Sequence, residues 1–184
     1  MAVNGTSGSW SANATELIQS SLDTNVRLVF GDKTWTNYIY SLEARKDGGS
    51  EGFLIMFRAN GDQFYWLNLG GWGNTRHQLE KGQGNPVGPQ YPGSIITGVW
   101  YGIRIVCNGN HIQCYLNDGS GEVQIIDYTD TSSPYLSGQV GVGTWSTQAR
   151  FRNFLVRSFE IGSAIYSGLP DPTAVTMPNW DPIP

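Results

Sequence analysis

The chain has 184 residues, enough for one domain with a sizeable core plus a tail. Its 24 glycines, 7 Trp and 9 Tyr, with only 14% charged residues, fit strands joined by tight turns and exclude a helical bundle or a disordered chain. A net charge of -4 gives no electrostatic footprint for nucleic acid, and no apolar run approaches the roughly 20 residues of a membrane span.

Residues 1–9, rich in Gly, Ser and Asn, read as a lead-in. Met1-Ala2-Val3 runs straight into polar sequence, so no signal peptide is read there, which says little about the native compartment. Residues 16–19 and 25–30 are short strands. A longer strand ends at Lys46, where Tyr40, Leu42 and Ala44 alternate with Ser41, Glu43 and Arg45. Asp47-Gly48-Gly49-Ser50 is a hairpin signal, and residues 52–58 return with Phe53, Ile55 and Phe57 on the core face. After the turn Asn60-Gly61-Asp62, the run Phe64-Tyr65-Trp66-Leu67-Asn68-Leu69 places Phe64, Trp66 and Asn68 on one face and Tyr65, Leu67 and Leu69 on the other. It leads into Gly70-Gly71-Trp72-Gly73-Asn74-Thr75-Arg76-His77, which carries an indole, an amide, a guanidinium and an imidazole within six residues.

Residues 82–98, punctuated by Gly and Pro, form a long loop or a set of broken short strands, and Tyr91 within them could close over a ligand. Residues 100–107 and 111–116 form a hairpin about Gly109-Asn110. That register sets Cys107 opposite Ile112 and Cys114 opposite Ile105. The thiols then sit diagonally, poor geometry for a disulfide, and are read as buried and free. Residues 123–128, 139–145, 149–159 and a last strand near 161–166 complete the set. Strands every ten to fifteen residues, without a convincing helical segment, predict an all-β fold: a two-sheet antiparallel β-sandwich of the jelly-roll type over residues 10–166. Residues 167–184, rich in Pro, read as a linker or a strap, with Trp180 favouring docking.

Several segments resemble the laminin-G-like, concanavalin-type modules attached to α-L-arabinofuranosidases of glycoside hydrolase family 51. They are Gly31-Asp32, Trp35-Thr36-Asn37-Tyr38, Glu43-Ala44-Arg45-Lys46, Glu51-Gly52-Phe53-Leu54-Ile55, Tyr65 through Thr75, and Gly93-Ser94-Ile95 before Trp100-Tyr101. The resemblance covers about residues 10–160, with Gly-Gly-Trp-Gly-Asn-Thr its most specific part. It implies a non-catalytic carbohydrate-binding module beside a catalytic domain in cis, with a polysaccharide ligand of the xylan, arabinoxylan or arabinan class. It also implies a monomeric module within a secreted parent enzyme.

Sugar rings present C–H patches to aromatic faces and hydroxyls to planar polar side chains. Strand alternation allows Glu43, Arg45, Arg58, Trp66 and Asn68 to share the face opposite the core, a polar surface with an indole at its centre. The alternative is that Trp66 packs under a loop beside ordinary solvated charges. Trp72, Asn74, Arg76 and His77 follow as further candidates, although Trp72 could instead plug the sandwich end. Trp145 lies off the core and could extend the platform. Trp10, Trp35 and Trp100 look structural. A structural calcium is expected as the one cofactor, with Glu16 and Asp127 as weak ligand candidates and Asp32 and Asp130 scattered elsewhere.

Two other function classes compete. Retaining glucanases on this architecture place Glu-x-Asp-x-x-Glu on one strand face, but Glu43, Asp47 and Glu51 have the wrong spacing. There is no Gly-x-Ser-x-Gly elbow and no His-Glu-x-x-His site, so no catalytic residue is assigned. A protein-binding adhesion domain would show an apolar patch or a charged stripe, and neither is evident.

Overall fold

A computed structural model describes residues 8–61, 63–159 and 163–172. Its strands form two antiparallel sheets, as the alternation predicts. The smaller sheet runs β3 (Val26–Phe30), β12 (Gln139–Thr144), β5 (Phe53–Asn60), β6 (Gln63–Gly70), β7 (Arg76–Lys81) and β8 (Pro86–Pro92). The larger runs β1 (Trp10–Ala12), β2 (Leu17–Gln19), β13 (Thr147–Ser158), β4 (Tyr38–Gly49), β9 (Trp100–Asn108), β10 (His111–Asn117) and β11 (Glu122–Thr129), with β14 (Ala164–Ser167) on β13.

The inward faces meet in one core. Tyr40, Leu42 and Ala44 of β4 oppose Phe53, Ile55 and Phe57 of β5 and Leu67 and Leu69 of β6, all buried. Burying a side chain of this size contributes about 1.5–3 kcal/mol, so the period-two pattern itself drives the two sheets together. The β9–β10 hairpin has the expected register, Cys107 opposite Ile112 and Cys114 opposite Ile105, and both thiols are buried and free.

Two expectations need correction. Asp47-Gly48-Gly49-Ser50 is not a hairpin turn, because β4 belongs to the larger sheet and β5 to the smaller. The chain crosses between layers there. Gly49 has φ 102° and packs so closely on Ser146 and Thr147 that a Cβ would lie 2.2 Å from the Ser146 carbonyl oxygen, and the Ser50 N–H donates to that oxygen. Residues 82–98 include an ordered strand, β8, paired with β7. β8 is an edge strand, where its prolines forfeit no ladder bond on the solvent side. Beyond β14, Leu169 packs against the core, whereas Trp180 lies outside the described residues.

Candidate functional site

The outward face of the six-stranded sheet is built by register. Met56, Trp66 and Glu80 stand side by side across β5, β6 and β7, and Leu54, Asn68 and Gln78 form the next row. The apolar members collect into a second cluster of Val29, Leu54, Met56, Ala59, Phe64 and Trp66, with Trp145 packed against it. Trp66 points away from the core as the alternation requires, yet it is only 1% exposed. It is therefore a floor rather than an exposed platform. Its indole N–H donates to Glu80 Oε2, the Asn68 amide donates to the same oxygen at 3.1 Å, and the Gly84 N–H donates to Glu80 Oε1 at 3.0 Å.

Beside this floor, residues 70–74 make a turn that is almost wholly left-handed: Gly70, Trp72, Gly73 and Asn74 have φ of 68°, 52°, 72° and 62°. For a bulky residue such as Trp72 this backbone costs on the order of 1–3 kcal/mol, so neighbours must hold it. The Thr75 N–H donates to Gly71 O at 3.1 Å. The Gly73 N–H donates to Glu51 Oε1 at 3.0 Å. Asn74 grips Ile95 twice, accepting from its N–H at 2.7 Å and donating to its carbonyl at 3.0 Å. Gly71 is required for space, since a Cβ there would meet the Asn68 amide at 2.5 Å. The strained turn leaves Trp72 37% exposed. The Arg76 guanidinium lies 3.7 Å from the Trp72 ring centroid and donates to Gln90 Oε1 at 2.9 Å, a stack that contributes about 0.5–1 kcal/mol at an exposed site.

Floor and turn enclose a cavity of about 250 Å³, with Trp66, Asn68 and Glu80 below, Trp72 and Trp145 at the sides, and Glu51, Gln83 and Gly84 at the rim. Pockets for drug-sized ligands span roughly 300–1,000 Å³; this one lies just below that range and suits about one sugar ring. It offers indole surfaces, carboxylate oxygens and amides in one place, the combination that meets both the C–H faces and the hydroxyls of a saccharide. A larger depression of about 460 Å³ lies near Lys81 and Tyr135. Its one cation, Lys81, is already engaged by Asp130 at 2.7 Å and by the carbonyls of Ser132 and Ser133.

Of the candidates read from the sequence, Trp66, Asn68, Trp72 and Trp145 gather at this cavity, Arg76 backs Trp72, and Asn74 fixes the loop. The others lie elsewhere. Glu43 and Arg45 project from β4 on the outward face of the opposite sheet, where Glu43 accepts from Arg152 and Arg45 pairs with Asp47. Strand alternation separates inside from outside but does not say which sheet a strand joins. Arg58 sits at a register shift in β5 with φ 49°, which turns it off the Trp66 face. It is 1% exposed and donates to the carbonyls of Thr36, Gly109 and Tyr135, so it ties loops together. His77 shares the inward side of β7 with Leu79; the Gly70 N–H donates to its Nδ1 at 2.9 Å, and burial pushes its pKa down to about 4. Sequence reasoning missed Glu80 and Gln83, and named Glu51 within a resembling segment and in the hydrolase alternative but not as a binding residue. The signal for Glu80 was the polar alternation of Arg76, Gln78 and Glu80.

The calcium candidates do not converge. Glu16 pairs with Arg150 at 2.9 Å, which holds its carboxyl below the usual range, and Asp127 pairs with His111 at 2.7 Å. Asp32 accepts from Thr34, and Asp130 is held by Lys81 and Tyr65. Calcium takes 6–8 oxygens, and among the described residues no group of three or more metal-binding side chains comes together.

An extracellular exo-α-L-arabinofuranosidase of Streptomyces chartreusis is 34% identical over 114 residues, 60% of this chain, and the match covers only 14% of that enzyme's length. The carbohydrate-binding module CBM66 of Bacillus subtilis has a similar fold, with a TM-score of 0.69 at 23% identity over 85% of this chain and 93% of that one. Domain 4 of an extracellular arabinanase of Geobacillus stearothermophilus, solved with arabinotriose, has a TM-score of 0.54 at 14% identity over 94% of this chain and 81% of that one. These two likenesses are of fold. The model of the 3-keto-alpha-glucoside-1,2-lyase-like domain matches residues 3–157, and the chain belongs to that family.

Proposed function

We propose that the chain is a non-catalytic carbohydrate-binding module that holds a saccharide in the cavity between Trp72 and Trp145 and targets an attached glycoside hydrolase. The observation that carries this reading is a carboxylate held by neutral donors within aromatic walls. Glu80 accepts from an indole, an amide and a backbone N–H, with no cation against it among the described residues, so about one lone-pair site remains for a ligand hydroxyl. The arabinofuranosidase relative and the arabinotriose bound by the fold neighbour support a ligand rich in arabinose, such as arabinan or arabinoxylan. The relative's extracellular description supports a secreted parent.

The family description names a lyase, and two carboxylates, Glu51 and Glu80, face the cavity. Both are occupied by donors, Glu51 by the Gly73 N–H and Glu80 by three groups, which supports holding over proton transfer. Affinity gels containing arabinan, arabinoxylan, xylan, glucan or fructan test the proposal. The parent chain should be retarded on an arabinose-bearing gel, and Trp72→Ala should weaken binding about tenfold, the equivalent of one lost aromatic contact and its hydrogen bonds. Glu80→Gln should cost about ten- to a hundredfold, since hydrogen bonds to a charged group contribute about 1.5–3 kcal/mol. Unchanged migration of both variants would move the site elsewhere, and product release from the soluble polysaccharide would replace the module with an enzyme.

A further inference from the structure

A second cavity, about 230 Å³, opens at the other side of β7, where the loop after β8 faces β11. His77 is part of its wall but is sealed. The Gly93 backbone packs directly on the imidazole, where a Cβ would lie 2.5 Å from Nε2, and Nδ1 accepts from the Gly70 N–H at 2.9 Å. The groups open to a ligand lie around that ring. Tyr101 lines the cavity and is only 3% exposed. Its hydroxyl accepts from the Ile96 N–H at 3.0 Å, and its own proton has no acceptor among the described residues. A donor buried in that state costs stability, and a ligand atom that accepts from it recovers the cost.

Asp118 and Ser94 stand exposed at the rim. Asp118 Oδ1 accepts from the Ser120 N–H at 3.0 Å and from its hydroxyl at 2.6 Å, which holds the carboxyl below the usual carboxylate range. Oδ2 and the Ser94 hydroxyl have no partner among the described residues. Exposed apolar surface lies beside them, on Tyr91, Ile96 and Val123. A ligand that satisfies these groups must accept from Tyr101 and donate to Asp118. A hydroxyl does both. An ammonium group only donates and would leave the Tyr101 proton unpaired, whereas a phosphate or carboxylate only accepts and would be repelled by Asp118. Several hydroxyls on a ring with C–H faces, which lie well against aromatic and aliphatic side chains, match the whole wall.

We propose that this cavity is a second saccharide site, in which one ring lies against Ile96, Val123 and Tyr91 while its hydroxyls accept from Tyr101 and donate to Asp118 Oδ2. It shares no lining residue with the cavity beside Trp72, so it stands or falls separately, and a polysaccharide reaching both sites would gain avidity. The test is proton–nitrogen NMR of the whole chain, titrated with methyl α-L-arabinofuranoside and then with methyl β-D-xylopyranoside. The backbone N–H signals of Ser94, Ile96, Ser120 and Gly121 report this cavity, and the indole signals of Trp72 and Trp145 report the other. The expected result is saturable movement of those backbone signals with at least one glycoside, in the millimolar range that suits a single ring. Asp118→Asn keeps an acceptor for Ser120, and Tyr101→Phe keeps the buried ring. Each should weaken that titration about tenfold, the equivalent of one hydrogen bond, and leave the indole titration as in the parent. Movement of the backbone signals without the indoles would uphold this site and remove the other. Movement of the indoles alone, no movement with either glycoside, or backbone shifts that either variant leaves intact would overturn the proposal.

Discussion

The outward faces of the two sheets carry the same kinds of residue and behave differently. On the eight-stranded sheet, Glu43 meets Arg152 at 2.6 Å, and Arg152 and Arg45 lie 3.8 and 5.4 Å from the Trp100 ring centroid. Arg150 bridges Glu16 and Asp47, and Arg104 pairs with Glu122 while lying 3.8 Å from the Tyr115 centroid. Glu16, Glu43, Asp47 and Glu122 each face a guanidinium, Asp127 is held by His111, Gln113 and Gln124, and the Trp100 and Tyr115 rings carry a cation. On the six-stranded sheet a cation also stacks on an indole, Arg76 on Trp72, but Glu80 faces only neutral donors among the described residues, and Trp72 and Trp145 border the cavity. A surface whose polar groups satisfy one another has little left for a ligand. A carboxylate fixed without a counter-charge keeps its acceptor capacity, and the strained turn at Trp72 keeps an indole at the cavity.

The largest expected effect comes from Arg58, which the sequence places on the binding face and the structure places in a knot of loops. Arg58→Ala strands three carbonyls and should lower stability by roughly 3–5 kcal/mol in denaturant unfolding, with affinity per folded molecule unchanged. Next is His77. Burial holds its pKa at about 4 against an ordinary 6.5. The unfolded chain therefore binds the proton first, so this stability is fully present above about pH 6.5 and is lost as pH falls towards 4. The linked change is up to about 3 kcal/mol, and His77→Gln should flatten the stability profile across that window. The smallest effect sharpens the comparison itself. Replacing Glu43 and Arg45 together by Ala should change stability by about 1 kcal/mol or less and leave gel retardation as in the parent. A loss of binding there would make the larger sheet the ligand face.

Much of this was legible in the residues. The alternation of β6 placed Trp66 and Asn68 opposite Leu67 and Leu69, and the Gly109-Asn110 turn fixed the cysteine register. The sheet assignment was not legible, because a strand reads the same in either layer, and so Glu43 and Arg45 were grouped with Trp66. Arg58 was placed on the wrong face because a register shift rotates a side chain without changing the pattern around it. Glu80 was missed because its role depends on the β6–β7 pairing, which the left-handed turn at residues 70–74 sets. The burial of Trp66 followed from neighbours on β5 and from Trp145, distant in sequence.

The central claim is that the cavity beside Trp72 receives the saccharide. The chain's 7 tryptophans give indole N–H signals that report each location separately in proton–nitrogen NMR. Titration with arabinotriose should shift the signals of Trp66, Trp72 and Trp145 together and saturably while that of Trp100 stays in place. Saturable movement of Trp100 with the other three unmoved would contradict it.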